Sequence, residues 1–247
     1  MGKKSQITVF IIIGIIVIVL IGMLSYFALN KNKRDIREER PDLIDTAPVK
    51  SFVDSCIKNT AKDALLILGK QGRIYPDVYL ESKTKKISYY YYKGDGFFQT
   101  KISSVEEDVS RYVKENIGQC LDFDSLPYDI SENKKSIRVH SRFDSDKMAL
   151  ELEYPLEIIV GNSVAKLSDF SAEVDIRFIP IYELSKEIYI KTKQEPQWLD
   201  MEFLFRQDYK IRLLRISEDT LIYEITDDNY GLENEAYLFR FAVKYRM

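Results

Sequence analysis

Two cysteines, a single histidine and scattered acids are the side chains on which chemistry could rest in this chain. Cys56 and Cys120 are the most informative. Each falls on the apolar stripe of a predicted helix, so the two helices can pack with their sulfurs facing each other. A disulfide there closes a loop of about 64 residues, worth roughly 4 kcal/mol on the chain-entropy argument. The alternative is two buried free thiols acting as small hydrophobes, the usual state inside cells. No Cys-x-x-Cys spacing is present, so thiol redox catalysis is not expected.

His140 is the one imidazole. Alternation in its predicted strand puts it on the face of Arg138 and Arg142, opposite Val139 and Ser141, as an exposed histidine. A serine nucleophile needs a strained turn such as Gly-x-Ser-x-Gly, and none occurs. Asp227-Asp228-Asn229-Tyr230-Gly231 offers oxygen ligands, but it lacks the spacing and terminal Glu of a calcium loop. Asp, Asn and Gly are also what a hairpin turn requires, so the segment reads as a turn. Asp122 with Asp124, and Asp144 with Asp146, read the same way. Glycine-rich phosphate-cradling motifs are missing. The sequence therefore assigns no catalytic residue, no cofactor and no metal site. Dispersed carboxylates that meet only in the fold keep a membrane-bound enzyme as a minor alternative. Tyr89–Tyr92, with Phe97 and Phe98, read as a strand with two tyrosines on each face and one pair buried. The competing reading is an aromatic recognition edge.

The 36 basic and 39 acidic side chains are unevenly distributed. Lys3 and Lys4 are the only charges in residues 1–29, and residues 30–40 add five basic and three acidic groups. Residues 41–247 are left with 29 basic against 36 acidic. Such a domain is unsuited to tracking a phosphate backbone, so nucleic acid is not an expected partner.

Residues 7–29 run 23 positions without a charge. As a helix they extend roughly 34 Å, enough for a hydrocarbon core of about 30 Å. The run is too long for a secretory signal, whose apolar part is about 7–15 residues, and no small-residue cleavage site follows it. The expected organisation is a tail at 1–6, a single transmembrane helix at 7–29 with the lipid bilayer as partner, and a stalk at 30–47. A folded domain follows at 48–247, helical over 48–125 and mainly β over 130–247. Five basic residues just after the span, against two before it, taken alone place the domain in the cytoplasm.

The start of the chain points the other way. Lys3-Lys4-Ser5-Gln6-Ile7-Thr8-Val9-Phe10 resembles the class III signals of archaeal type IV pilin-like proteins. That resemblance implies export, a peptidase cut between Ser5 and Gln6, and a retained helix that serves as an assembly core. The family usually has Glu five residues into the mature chain; Phe10 stands here, which counts against filament assembly more than against export. The remainder resembles uncharacterised single-span archaeal membrane proteins through Pro48–Cys56, Ile87–Gly94, Tyr112–Leu121, Leu152–Pro155 and Phe239–Tyr245. This second resemblance implies a location and no chemistry.

The elements that must position these residues follow from periodicity. Val49, Phe52, Val53, Cys56, Thr60, Ala64, Leu65 and Leu68 predict a helix over 48–68, closed by Gly69 and Gly72. Ser103 and Ser104, each three residues before a Glu, predict capping boxes for a second helix with a stripe at Val105, Val109, Tyr112, Val113 and Ile117. Ser136–Phe143 and Lys147–Glu153 alternate as a hairpin, and strands continue at Glu157–Gly161 and Val164–Arg177. Pro180 opens a third helix and Pro196 ends it, with a short helix expected within Trp198–Gln207. Strands at Tyr209–Ile216, Thr220–Thr226 and Ala236–Tyr245 complete the set. The class expected is α+β, a mainly antiparallel sheet with about three packing helices. The function expected is a membrane-anchored, non-enzymatic domain displayed outside the cell or in the envelope, acting by protein–protein contact or self-association. A pilin-like subunit is the alternative.

Overall fold

The apolar stripe that begins at Val49 folds as expected. Helix α1 spans Ala47–Gln71, with Pro48 in its first turn, where a missing N–H costs nothing. It ends at Gly72, whose left-handed φ of 76° a side chain would resist. The computed structural model describes residues 44–82, 85–96, 101–196, 199–232 and 235–245, together with positions 19, 21 and 23. The chain divides into Met1–Leu43 and Ile44–Met247. In the first unit Val19, Ile21 and Met23 are helical and exposed. Ser5, Gln6 and the rest of the predicted span lie outside the described residues. No helix among the described residues is long and apolar enough to cross a membrane.

The second unit is α+β, with mainly antiparallel pairing. After α1 come β1 (Tyr79–Ser82), β2 (Lys85–Tyr92), β3 (Asp95–Gly96) and α2 (Ile102–Asn116). Then follow β4 (Asp129–Glu132), β5 (Arg138–Phe143), β6 (Lys147–Val160), β7 (Ser163–Asp175), α3 (Phe178–Gln194) and α4 (Met201–Phe205). The last strands are β8 (Lys210–Arg215), β9 (Thr220–Leu232) and β10 (Glu235–Lys244). They form two sheets where the sequence suggested one. In the smaller sheet β6 is central, with β7 along one side and β5 and β4 sharing the other. The larger sheet runs β1-β2-β10-β9-β8, with β3 beside β2. Its β2–β10 pair is parallel, so a strand from the helical first half joins the last strand of the chain.

Local signals failed in three places. Ser103 and Ser104 lie inside α2, whose N-cap is Lys101, with no side-chain cap bond. Glu106 instead reaches β5, where its Oε1 accepts the Phe143 N–H at 2.9 Å. The Asp227–Gly231 segment is no hairpin turn. Strand β9 continues through it to Leu232, and a bulge lets Asp227 pair with Tyr237 and Gly231 with Ala236. The tyrosines do not split by simple alternation either. A register shift between β2 and β10 sets Tyr89 against Ala242 and Tyr91 against Val243. Tyr90 and Tyr91 consequently enter the main core, while Tyr89 and Tyr92 face a smaller cluster with Ile87, Ile222 and Ala242. Tyr89, Tyr90 and Tyr91 are all buried; Phe97 and Phe98 lie outside the described residues.

The main core lies between the sheets and the helices. Phe178 at the start of α3 packs on Phe143 of β5 and Phe239 of β10, with ring centres 4.6 and 5.6 Å away. Tyr90 and Tyr223 stack on opposite sides of the Phe241 neighbourhood, at 4.5 and 5.0 Å from that ring. Helix α1 sits close to β10: a Cβ on Gly69 would lie 2.4 Å from the Leu238 carbonyl oxygen. In an exposed helix, Gly→Ala stabilises by up to about 1 kcal/mol. Here the contact reverses the sign. Gly69→Ala is expected to cost about 1–3 kcal/mol, read as a lower denaturant midpoint. A raised midpoint would show that α1 does not seat this tightly.

Candidate functional site

Cys56 is buried in α1 and Cys120 follows the short 3-10 turn at Ile117–Gln119 that extends α2. The structure joins them, with sulfurs 2.04 Å and Cα atoms 5.6 Å apart. The bond ties α1 to the segment just beyond α2. His140 is exposed beside Arg138 and Arg142 on β5, with Val139 and Ser141 facing inward. Its cross-strand partner is Glu151 of β6.

Two carboxylates are buried in the larger sheet, with arginine partners that the sequence did not indicate. Arg177, just before α3, grips Asp227 with two bonds, Nε to Oδ2 at 3.0 Å and Nη2 to Oδ1 at 2.8 Å. Asp227 is only 1 % exposed, and its Oδ1 also accepts the Asn229 N–H at 3.0 Å. The guanidinium lies 4.9 Å from the Tyr230 ring centre and 5.7 Å from that of Tyr209. The Asp227 oxygens on which a calcium reading would draw are therefore bound by a cation already in the chain. Across the same sheet, Glu224 is also 1 % exposed. It accepts from Arg240 Nε at 2.6 Å and from both Nε, at 2.9 Å, and Nη2 of Arg212. One carboxylate between two guanidiniums leaves a positive excess on that face. A signal for Glu224 was present: it is a lone acid inside the strand-forming run Leu221–Ile225. Asp227 reads as a turn residue, because its neighbours Asp228, Asn229 and Gly231 are turn formers.

A third network joins the segment after α1 to α2. Tyr75 donates to Glu115 Oε2 at 2.7 Å, Arg111 Nε donates to Glu115 Oε1 at 2.9 Å, and the Arg111 guanidinium covers the Tyr75 ring at 4.1 Å. Arg73 bridges Asp77 at 3.1 Å and Asp108 at 3.5 Å. Hydrogen bonds from Tyr75 and Arg111 hold the Glu115 carboxyl below its usual range. Burial pushes that of Asp108 up, against the pull of Arg73. Two acids with opposite shifts are the ordinary mark of an acid–base pair. Here each is engaged by arginine or tyrosine, and no described groove is lined by either.

The larger surface hollows are open grooves. One of about 690 Å³ runs between α3 and residues 207–209 and includes Arg177, Ile190 and Tyr209. Another, of about 410 Å³, lies between the first half of α1 and β7. Among the described residues, no three metal-binding side chains converge on a common point. Exposed apolar groups include Phe205, at 80 % exposure, with Met201 and Ile190. No protein-family model, curated protein or solved structure matches this chain.

Two measurements probe these charges. Arg177→Met strands a buried carboxylate and is expected to cost about 3–5 kcal/mol. Adding Asp227→Leu should recover most of that loss, and a double variant as unstable as the single one would show that the pair is not the unit. For Asp108, the raised folded pKa means that protonation favours folding. That contribution is full below the unfolded pKa of about 3.9 and is lost as pH rises through the folded value. Asp108→Asn does not titrate, so its stability relative to wild type should rise between about pH 3 and about pH 6. A flat difference over that window would mean that Arg73 cancels the effect of burial, and a falling one that it outweighs it.

Proposed function

We propose that the chain is a membrane-anchored, non-enzymatic domain that is displayed outside the cell or in the envelope and works through protein–protein contact. The observation that carries this reading is the uncharged 23-residue run at 7–29, placed ahead of an independently compact unit at Ile44–Met247. The pairing of Cys56 with Cys120 supports the oxidising side of the membrane, since cytosolic thiols are kept reduced. Non-enzymatic action is supported by Asp227, Glu224 and Glu115, each held by a cation in the fold. Contact with a protein is supported by the exposed Phe205, Met201 and Ile190.

The segment Lys3–Phe10 favours one second reading, a pilin-like subunit whose apolar helix packs into an assembly after cleavage between Ser5 and Gln6. An archaeal prepilin peptidase should cut there if that reading holds. The leading reading is tested on intact cells by alkylation. Cys56 and Cys120 should resist the reagent in denatured protein until reductant is added, and carbonate-washed membranes should retain the chain. Ready alkylation of both thiols without reductant would place the domain in the cytoplasm and sink the surface role.

A further inference from the structure

Among the described residues, three of the longer strands have an edge with no neighbouring strand, and helices close two of them. On β5, Asp144 N–H donates to the Lys147 carbonyl at 2.8 Å. The antiparallel alternation then turns the N–H groups of Ser141 and Phe143 away from β6. Both are met by α2: Ser141 N–H donates to Ser110 Oγ and Phe143 N–H to Glu106 Oε1, each at 2.9 Å. On β7, Ser171 N–H donates to Asp54 Oδ1 of α1 at 2.9 Å, and the Asp169 carbonyl accepts from Lys50 Nζ at 3.3 Å.

Strand β8 differs. Ile216 N–H donates to the Thr220 carbonyl at 3.0 Å, so the backbone groups of Ile211, Leu213 and Arg215 point away from β9. Among the described residues, no hydrogen bond reaches those outward groups. The side chains beside this edge are sorted by face. Lys210 and Arg212, 74 % and 70 % exposed, lie on the outer face, where Lys210 pairs with the half-exposed Asp228 and the Glu224 carboxylate sits between Arg212 and Arg240, three cations against two acids. Ile211 and Leu213 lie half-buried against the main core on the other face, their free flanks turned to the edge. Residues 209–216 carry three cations and no acid, within a domain whose balance is acidic.

We propose that β8 is an acceptor edge for an extended partner segment in which acidic and apolar residues alternate. This deepens the reading of the domain as a contact module and rests on it. The partner's backbone pairs with Ile211, Leu213 and Arg215, continuing the sheet. Its acids then lie beside Lys210 and Arg212, and its apolar residues cover Ile211 and Leu213. A second copy of β8 is disfavoured as occupant because it brings three cations against three more. The same charges turn away other basic edges, which makes the site selective as well as open.

The test uses the full chain in nanodiscs and a short blocked peptide alternating glutamate and valine, with a lysine–valine peptide as control. The acidic peptide should slow hydrogen exchange across residues 209–216, and the basic one should leave it unchanged. Arg215→Pro removes an outward N–H without breaking a β9 bond and should weaken binding about tenfold. Arg215→Glu keeps the N–H, reverses the charge and should weaken binding too, which guards against misfolding of the proline variant. Equal binding of both peptides, protection elsewhere in the chain, or no protection at saturating acidic peptide overturns the proposal. Concentration-dependent protection of 209–216 without peptide overturns it in favour of a second copy. Binding is read on purified protein, so failure here removes this edge and leaves the anchor and its orientation to the alkylation experiment.

Discussion

The close seat of α1 is the constraint on which the folded unit depends. Gly69 and Gly72 let the end of this helix approach the β10 backbone, where added Cβ atoms would lie 2.4 and 2.5 Å from carbonyl oxygens. Buried tyrosines then complete the helix end. Tyr90 donates to the Gly72 carbonyl, a group the helix end leaves unpaired, and Tyr237 donates to the Leu65 carbonyl inside the last two turns. Farther back, Asp54 and Lys50 of the same helix close the edge of β7 in the other sheet. Through Cys56 the helix is also tied to Cys120, beyond α2, and α2 closes the edge of β5. One helix thus sets the positions of both sheets and of the second helix.

Burying charge is costly unless each ion has partners, and the larger sheet meets that requirement twice. Asp227 has a bidentate arginine and a backbone N–H; Glu224 has two arginines. These arrangements look like sites when single residues are considered. Their hydrogen-bonding capacity is nevertheless already filled from within the chain. The most strongly charged positions of the domain therefore hold strands in register, and the positive excess of the Arg212–Glu224–Arg240 group is what remains for a partner to meet.

Edge management links the fold to the proposed role. Unpaired strand edges invite association, and folded proteins cover or charge them. Side chains from α1 and α2 cover two edges here, and β1 is only four residues long. Among the described residues, strand β8 is guarded by charge alone. Charge repels like edges but attracts an acidic one, so the same residues that prevent indiscriminate pairing define what can pair.

Helix periodicity by itself determined α1, α2 and α3, because a stripe such as Val105, Val109, Val113 and Ile117 encodes its buried face within a few turns. Alternation likewise determined the β5–β6 hairpin, whose partners are adjacent in the chain, and facing stripes indicated Cys56 and Cys120. Tertiary structure alone decided the parallel pairing of β2 with β10, the register shift that moves Tyr91 into the core beside Tyr90, and the burial of Asp227 against Arg177. Each of these joins residues far apart in sequence. Local pattern reports which face of an element is apolar. It does not report which distant strand will lie beside that element, or where a bulge will turn a side chain inward.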